Sequence, residues 1–219
     1  MMKKVILSVA VLFCFASTAI AADLSPIKLL PPDLKGGKSL MQSLQERHTS
    51  RSFSTKKLPL EVLSNLLWAA GGINRQDSGK RTAPSASNKQ EIDIYVAMEE
   101  GLYLYKPKAH TLDPVLKTDL RQKTTMLLQP SKGSVEGAPL QLIYVADLGR
   151  MAFYINDEEK KFYSAADTGF IAQNVYLYCA SFGLATVVRG LVNRDDLAKE
   201  MKLSDKQKIT LVQAVGYPE

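Results

Sequence analysis

The sequence predicts an α+β protein, and three observations carry that prediction. Two apolar, strand-like segments joined by the turn Glu99-Glu100-Gly101 predict a β-hairpin over residues 92–105. Residues 165–182 are apolar or small on nearly every side, which is typical of a helix buried in a core or a subunit interface. The patterns along the 219 residues are helix-rich with a few strands, and this order favours an α+β fold.

The other elements follow from hydrophobic periodicity, caps and breakers. The helical period predicts helices over residues 38–48 and 59–70. We place the N-cap of the 165–182 helix at Ser164, with Asp167 as an approximate capping-box partner. Further expected elements are a long polar loop (73–91), a helix (115–128), strands (140–145, 185–188 and 209–215) and a helix capped by Asn193 (193–201).

Composition and charge exclude several classes of protein. Apolar residues make up 46% and charged residues 23%, which excludes a disordered chain, a collagen-like repeat and a multi-span membrane protein. The net charge of +6 at first suggests nucleic-acid binding. The basic residues are scattered, however, and often stand beside acids, as in Asp157-Glu158-Glu159-Lys160-Lys161. Because they form no long basic run, we expect no nucleic-acid partner.

Residues 1–21 have the three parts of a cleavable signal peptide. A basic start containing Lys3 and Lys4 is followed by an apolar run and by the small residues Ala19 and Ala21. The apolar run is shorter than the ~20 residues that span a bilayer, which argues against an uncleaved anchor. We therefore expect a periplasmic or secreted protein with no stable membrane insertion after cleavage.

The rest of the chain divides into an arm and one domain. Residues 22–37 are rich in proline and glycine and are expected to form an extended arm. Residues 38–219 are expected to form the domain. Cys179 is the one cysteine that follows the predicted signal peptide, so no disulfide is expected within the chain.

The motifs of several common chemistries are missing from the sequence. With only His48 and His110, and no clustered ligands, we expect no metal site. No GxSxG nucleophile turn and no glycine-rich GxGxxG or GxxxxGK loop is present. We therefore expect no catalytic side chain of the nucleophile type.

Three loop segments hold the candidate functional residues. Two guanidinium groups with a hydroxyl between them can bind a phosphate, although a solvated basic turn is the alternative. The second segment is otherwise an ordinary flexible loop, and the third is otherwise the surface end of a strand. The candidates are Arg47, His48, Thr49 and Arg51 in the first segment, Pro84, Ser85, Ala86 and Asn88 in the second, and Arg189 and Gly190 in the third.

Taken in order, these segments resemble the FMN-dependent nitroreductase family over residues 38–219. Members of that family share four short motifs, each of them weak when taken alone. Here these motifs are Arg47-His48-Thr49-Ser50-Arg51-Ser52-Phe53, Pro84-Ser85-Ala86-Ser87-Asn88, Gly183-Leu184 followed by Arg189-Gly190, and Val215-Gly216-Tyr217-Pro218. The stretch Gly72-Ile73-Asn74-Arg75 is similar to the short subgroup that includes azoline-oxidising dehydrogenases.

The resemblance implies a central, mostly antiparallel sheet flanked by helices, in an intimate homodimer with FMN at the subunit interface. It implies that Arg47, Thr49 and Arg51 bind the phosphate and ribityl chain, with His48 nearby. Ser85, Ala86 and Asn88, from the Pro84 loop, would come from the partner subunit. The backbone of Gly190 would face the flavin ring near N5, with Arg189 beside it.

The implied function is an exported FMN-dependent oxidoreductase. It would transfer hydride or electrons through flavin N5 to or from a small nitro, quinone or azoline-like substrate, with NAD(P)H as the candidate donor. The alternative is a non-catalytic module that keeps the fold and binds flavin or another ligand. The aromatic residues of segment 148–163 form either a lid over the substrate pocket or ordinary hydrophobic packing.

Overall fold

The structure is a computed structural model, and it describes residues 24–125, 134–152 and 156–219. The predicted signal peptide, residues 1–21, lies outside these ranges. Within them, no helix is both long enough and apolar enough to cross a membrane.

A seven-stranded sheet forms the centre of the described part of the chain. Its strands are β1 (Ile27–Lys28), β4 (Ile92–Met98), β5 (Gly101–Lys106), β6 (Thr111–Leu116), β7 (Leu140–Asp147), β8 (Ala185–Arg189) and β9 (Gln207–Gly216), while β2 (Ile73–Arg75) and β3 (Lys80–Arg81) pair separately. The order is β1-β6-β5-β4-β7-β9-β8, and every neighbouring pair is antiparallel. The predicted antiparallel sheet and hairpin are both confirmed.

Four α-helices in the described ranges flank this sheet. They are α1 (Leu40–Glu46), α2 (Leu60–Gly71), α3 (Asp157–Phe182) and α4 (Arg194–Glu200). A reciprocal capping box starts α1, since the Ser39 hydroxyl accepts from the Gln42 N–H and the Gln42 side chain accepts from the Ser39 N–H. Gly183 ends α3 at φ 68°, a left-handed conformation that favours glycine.

The sheet is buried on both faces near its middle. On β7, Leu142 and Tyr144 join the core formed with α2 and α3. Their neighbours Ile143 and Val145 join the core formed with α4. Because successive strand residues point to opposite faces, a strand covered on both sides is apolar without alternation.

The start of the long helix was predicted wrongly. Helix α3 begins at Asp157, and the Asn156 side chain caps it by accepting from the Glu159 N–H at 2.8 Å. Ser164 is fully buried inside the helix, where its hydroxyl donates to the sulfur of Met151. The acids of residues 157–159 form the first helical turn, where the helix dipole favours negative charge.

The predicted helix over 115–128 was also wrong for the residues that are described. Strand β6 continues to Leu116, and residues 121–124 form a single 3-10 turn, while 126–128 lie outside the described ranges. Pro114 argues against a strand by sequence. The strand tolerates it because β1 pairs only with Thr111 and Leu112, so Pro114 lies beyond the paired edge.

The predicted loop over 73–91 is partly regular. It contains the short strands β2 and β3 and a 3-10 turn over Ala86–Asn88. The backbone conformations of Ser87, Asn88 and Gln90 have positive φ values of 50°, 52° and 49°. Such values are uncommon outside glycine, so this loop has a specific and constrained shape.

The arm before α1 is bound to the domain. Ile27 on β1 pairs with Leu112 on β6. Further along the arm, the Leu30 N–H donates to the Ser64 hydroxyl at 2.9 Å, and the Leu30 carbonyl lies 2.9 Å from Nε2 of His110. The described part of the arm is thus held to the domain by strand pairing and by hydrogen bonds to Ser64 and His110.

Two helices expose apolar faces in the protomer. Leu40, Met41 and Leu44 on α1 are 62%, 73% and 45% exposed, and Phe162 and Phe170 on α3 are 69% and 48% exposed. Helix α1 packs against α3. Apolar surface concentrated on adjoining helices is typical of a protein–protein interface.

Candidate functional site

The basic segment Arg47–Phe53 is fixed against the end of the sheet. The Ser50 N–H donates to the carbonyl of Thr186 on β8 at 3.0 Å. Phe53 is 1% exposed and packs in a small core cluster with residues of β8 and β9. The backbone of the segment therefore has a defined course, and its polar side chains are presented from it.

Tyr176 on α3 joins two of the three predicted clusters. The Arg47 guanidinium lies 5.5 Å from the centroid of the Tyr176 ring, within cation–π distance. The Tyr176 hydroxyl lies 3.2 Å from the Thr49 hydroxyl and accepts from the Val188 N–H at 3.0 Å. Because Val188 is two residues before Gly190, the structure places the basic segment beside the strand that leads to Gly190.

The positive charges of this segment are not neutralised within the described residues. Arg47 is half-buried and Arg51 is exposed, and neither forms an ion pair there. His48 is exposed, with Nδ1 2.8 Å from the carbonyl of Glu46. One five-residue segment therefore carries two guanidinium groups without ion pairs and a hydroxyl between them in sequence, and such a donor set suits a phosphate.

Arg189 and Gly190 have different surroundings: the Arg189 side chain is hydrogen-bonded to buried residues, and Gly190 is exposed. Nη2 of Arg189 donates to the buried side chains of Thr124 and Gln141, at 2.9 and 2.8 Å. Gly190 is exposed, and a Cβ there would lie no closer than 3.7 Å to another atom, the Cδ2 of Leu211. The packing of the protomer thus leaves room for a side chain at Gly190. Because glycine has no side chain, a ligand can approach the backbone closely there.

The loop Pro84–Asn88 is anchored on a different part of α3. The Ala86 N–H donates to Oδ2 of Asp167 at 2.8 Å. Within the loop, the Ser85 hydroxyl accepts from the Gln90 N–H at 2.9 Å. The loop is therefore an ordered element tied to the first half of α3.

The geometry of α3 keeps this loop apart from the other two clusters. Asp167 and Tyr176 are nine residues apart in an α-helix, which separates them by about 13 Å along the axis and by about half a turn around it. The structure therefore brings the first and third clusters together within one protomer and leaves the second elsewhere.

Sequence reasoning missed three residues that organise these clusters. Tyr176 was read as one of many apolar positions, and Asp167 as part of a cap. Glu91, at the start of β4, was counted in a polar loop although it is completely buried. Burial, followed by its hydrogen bond to Asp167, raises the pKa of Glu91 to about 7. Of these three residues, only Asp167 had a signal in the sequence, because it is an acid within an otherwise apolar helix.

The segment 148–163 contains both buried and exposed side chains, and the lid over a substrate pocket stays a prediction. Met151 is fully buried in a 3-10 turn, which is packing. Phe162 and Tyr163 are exposed on the first turns of α3, with their rings in edge-to-face contact at 5.4 Å. Residues 153–155 lie outside the described ranges.

The fold and these clusters define the class of protein. An antiparallel sheet with α2 and α3 on one face and α4 on the other is the nitroreductase-like α+β fold. The model of the nitroreductase family matches residues 44–217, which include all three clusters. The chain belongs to the nitroreductase family.

Individual relatives agree with this assignment. A protein of Methanocaldococcus jannaschii, provisionally named a nitroreductase, is 30% identical over 180 residues, or 80% of this chain and 89% of that protein. A crystal structure from Ralstonia eutropha JMP134, described with the same provisional name, is 41% identical over 90% of both chains, with a TM-score of 0.82. A chain of the E. coli microcin synthetase complex with truncated pro-MccB17 bound is 19% identical, with a TM-score of 0.70 over 98% of this chain and 85% of that one, and shows the fold alone.

Proposed function

We propose that this protein is an exported FMN-dependent oxidoreductase that binds its flavin between two copies of the chain. Membership of the nitroreductase family indicates an oxidoreductase, and proteins of this family generally depend on a flavin. One observation carries the assignment of FMN. Arg47 and Arg51 stand without ion pairs among the described residues, on a segment fixed beside the strand that leads to Gly190.

The phosphate of FMN is assigned to the basic segment. A phosphate carries a charge of about −1.5 to −2 near pH 7, which two guanidinium groups neutralise. Tyr176 orients this set, because its ring lies beneath Arg47 and its hydroxyl reaches Thr49. A site with these donors selects FMN over riboflavin, which lacks the phosphate.

The flavin ring is assigned to the backbone at Gly190. The side-chain-free backbone there allows close approach, and the Val188–Tyr176 hydrogen bond fixes the strand just before it. FMN, when bound, supplies the hydride or electron transfer. The chain's own residues would bind and orient the flavin, and no side chain is assigned as nucleophile or metal ligand.

Two features of α3 support a homodimer. The exposed apolar residues Phe162 and Phe170 lie two helical turns apart, so they share one face. Asp167 and Tyr176 hold two clusters that a single protomer keeps apart. A partner subunit packed along α3 would bring its own Pro84–Asn88 loop to the flavin, and nitroreductase-fold proteins are commonly dimeric.

Export and substrate complete the proposal. Residues 1–21 support a periplasmic or secreted location. A small nitro, quinone or azoline-like compound would be the acceptor or donor, with NAD(P)H as the candidate reductant. The azoline-oxidising subgroup is favoured by Gly72-Ile73-Asn74-Arg75, where Ile73 and Arg75 lie on β2.

The test is flavin content and turnover of protein purified from the exported fraction. We expect a yellow protein with about one FMN per chain. NADH or NADPH should reduce its flavin, and an added nitroaromatic or quinone should reoxidise the flavin with steady consumption of the nicotinamide. Colourless protein that also fails to take up added FMN would refute the proposal. Flavin that binds but is never reduced would instead support the non-catalytic module, or a dehydrogenase reduced by its own substrate.

A further inference from the structure

Two buried carboxyl groups lie together behind the Pro84–Asn88 loop. Glu91 has no exposed surface, and Asp167 is 2% exposed. Among the described residues, no N–H or hydroxyl donor reaches either carboxylate oxygen of Glu91. Its close neighbour is the Asp167 carboxyl, whose Oδ2 accepts from the Ala86 N–H.

Rigid elements hold both groups in place. Glu91 directly precedes β4, and its carbonyl accepts from the Asp147 N–H at the end of β7 at 2.9 Å. Asp167 is in the interior of the 26-residue helix α3. The backbones of the two residues therefore stay in place, and only rotation of a side chain can separate the two carboxyl groups.

Two ionised carboxylates in such a place would repel each other, and each would lack solvation. One shared proton removes both problems, because the protonated Glu91 carboxyl then donates to Asp167. Burial is the main cause that raises the Glu91 pKa to about 7, and the hydrogen bond to Asp167 adds to it.

Neither of the two nearby arginines donates to Glu91. Arg150 donates to Asp93 at 2.7 Å and to the Gln90 carbonyl at 2.9 Å, and its Nε lies 3.2 Å from Asp147. Arg81 interacts with Glu91 through charge alone, since its buried Nε and both Glu91 carboxylate oxygens have no hydrogen-bond partner among the described residues. A proton, rather than a guanidinium group, can therefore bridge Glu91 and Asp167.

We propose that Glu91 is a positioning residue whose proton, shared with Asp167, holds the Pro84–Asn88 loop in the shape that contacts the flavin. The protonated pair fixes Oδ2 of Asp167, and Oδ2 fixes the Ala86 N–H. When Glu91 loses its proton, the two carboxylates repel, Asp167 turns away and the loop loses its anchor. Flavin affinity would thus decrease in alkaline solution. The contact with flavin rests on the proposed function, whereas the anchoring of the loop does not.

The first measurement reads the loop without any ligand. Hydrogen exchange gives the protection factor of the Ala86 amide at pH 6 and pH 9. We expect protection to fall by at least tenfold in the wild type and to stay constant in Glu91→Gln, because the glutamine amide donates to Asp167 at every pH. Constant protection in the wild type would overturn the proposal, whether or not the protein binds FMN.

The second measurement is the affinity of the protein for FMN as a function of pH. FMN is titrated by fluorescence between pH 7 and pH 9, where its phosphate stays a dianion because its second pKa is about 6. One linked proton gives up to about a tenfold rise in Kd per pH unit. We expect this slope in the wild type and in the exposed control Glu158→Gln, and a flat profile in Glu91→Gln.

The outcomes separate the two proposals. Equal slopes in the wild type and Glu91→Gln would overturn the role of Glu91. Absence of FMN binding at every pH would refute the proposed function, and the exchange measurement would still decide the anchoring. If Glu91→Gln fails to fold, Asp167→Asn replaces it, since an asparagine accepts from Ala86 and donates to Glu91. The Ala86 protection of Asp167→Asn should also be independent of pH, and a decrease in this variant as large as that in the wild type would overturn the anchoring.

Discussion

The hydroxyl of Tyr176 lies 3.2 Å from the hydroxyl of Thr49, although the two residues are far apart in the sequence. The same phenol accepts from the Val188 N–H. One side chain of α3 therefore sets the position of the basic segment relative to β8. It acts on two parts of the proposed flavin site at once, and its substitution should affect both.

Replacing Tyr176 with phenylalanine removes the hydroxyl and keeps the ring beneath Arg47. The Val188 N–H then loses its partner, and an unpaired buried donor costs about 1–3 kcal/mol of unfolding free energy. Urea unfolding measures this loss. Tyr176→Leu removes the ring as well, so we expect weaker FMN binding than in Tyr176→Phe. Equal FMN affinities in the two variants would show that the ring does not orient Arg47.

Replacing Arg47 or Arg51 with alanine should weaken FMN binding. A hydrogen bond to a charged group contributes about 1.5–3 kcal/mol, so we expect Kd to rise by roughly 10- to 100-fold for each variant. Titration of flavin fluorescence measures it. Lys108→Ala removes the same charge from an exposed position on the β5–β6 turn and should leave Kd unchanged. Equal effects from all three variants would mean that only net charge matters.

Introducing charge at Phe170 should separate the proposed dimer. Phe170 is 48% exposed in the protomer, and a glutamate there would be buried without a partner in a packed interface. Analytical ultracentrifugation of Phe170→Glu should show a monomer that has also lost FMN. Val115→Glu, at a position that is 37% exposed on β6, serves as the control and should remain dimeric. A dimeric Phe170→Glu would place the interface elsewhere.

Acid should loosen the arm through His110. Burial lowers the pKa of His110, whose ring lies between the Tyr105 hydroxyl and the Leu30 carbonyl. The unfolded chain takes up a proton near pH 6.5 and the folded chain resists it, so stability falls as pH drops below about 6.5. The measurement is the unfolding free energy between pH 7 and pH 5. Its decrease should be smaller in His110→Gln, and an identical decrease would exclude His110 as the cause.

Glu91 contributes to stability with the opposite sign. Its folded pKa of about 7 lies above that of an unfolded glutamate, so its contribution is complete below about pH 4.3 and is lost as pH rises through 7. Comparison of Glu91→Gln and His110→Gln at each pH separates the two. A wild-type profile that matches Glu91→Gln from pH 5 to pH 8 would contradict the shared proton.

The elements that the sequence predicted well are those that depend on local pattern. The two apolar segments of the hairpin 92–105 are joined directly by a turn, the apolar residues of α2 recur with the helical period, and Asn193 directly precedes α4. The start of α3 was missed because its polar first turns, around Asp157, resemble a loop until Asn156 is recognised as the cap. The order of the strands depends on contacts across the chain, which no local pattern contains.

The candidate site divides in the same way. Arg47, Thr49 and Gly190 stand in short motifs and were named from them. Tyr176 and Glu91 act through partners that are distant in sequence, and nothing in their neighbours distinguishes them from core or loop residues. Their roles depend on which residues the fold brings together.

The separation of Asp167 from Tyr176 on one helix restricts how this sequence can change in evolution. Every residue inserted or deleted between them would rotate one relative to the other by about 100° and shift it by about 1.5 Å. The Ala86 contact and the Val188 contact could then not form together. Point substitutions between Asp167 and Tyr176 leave their relative rotation and distance unchanged. Homologous sequences should therefore differ in amino acids within this part of α3 but keep the number of residues constant.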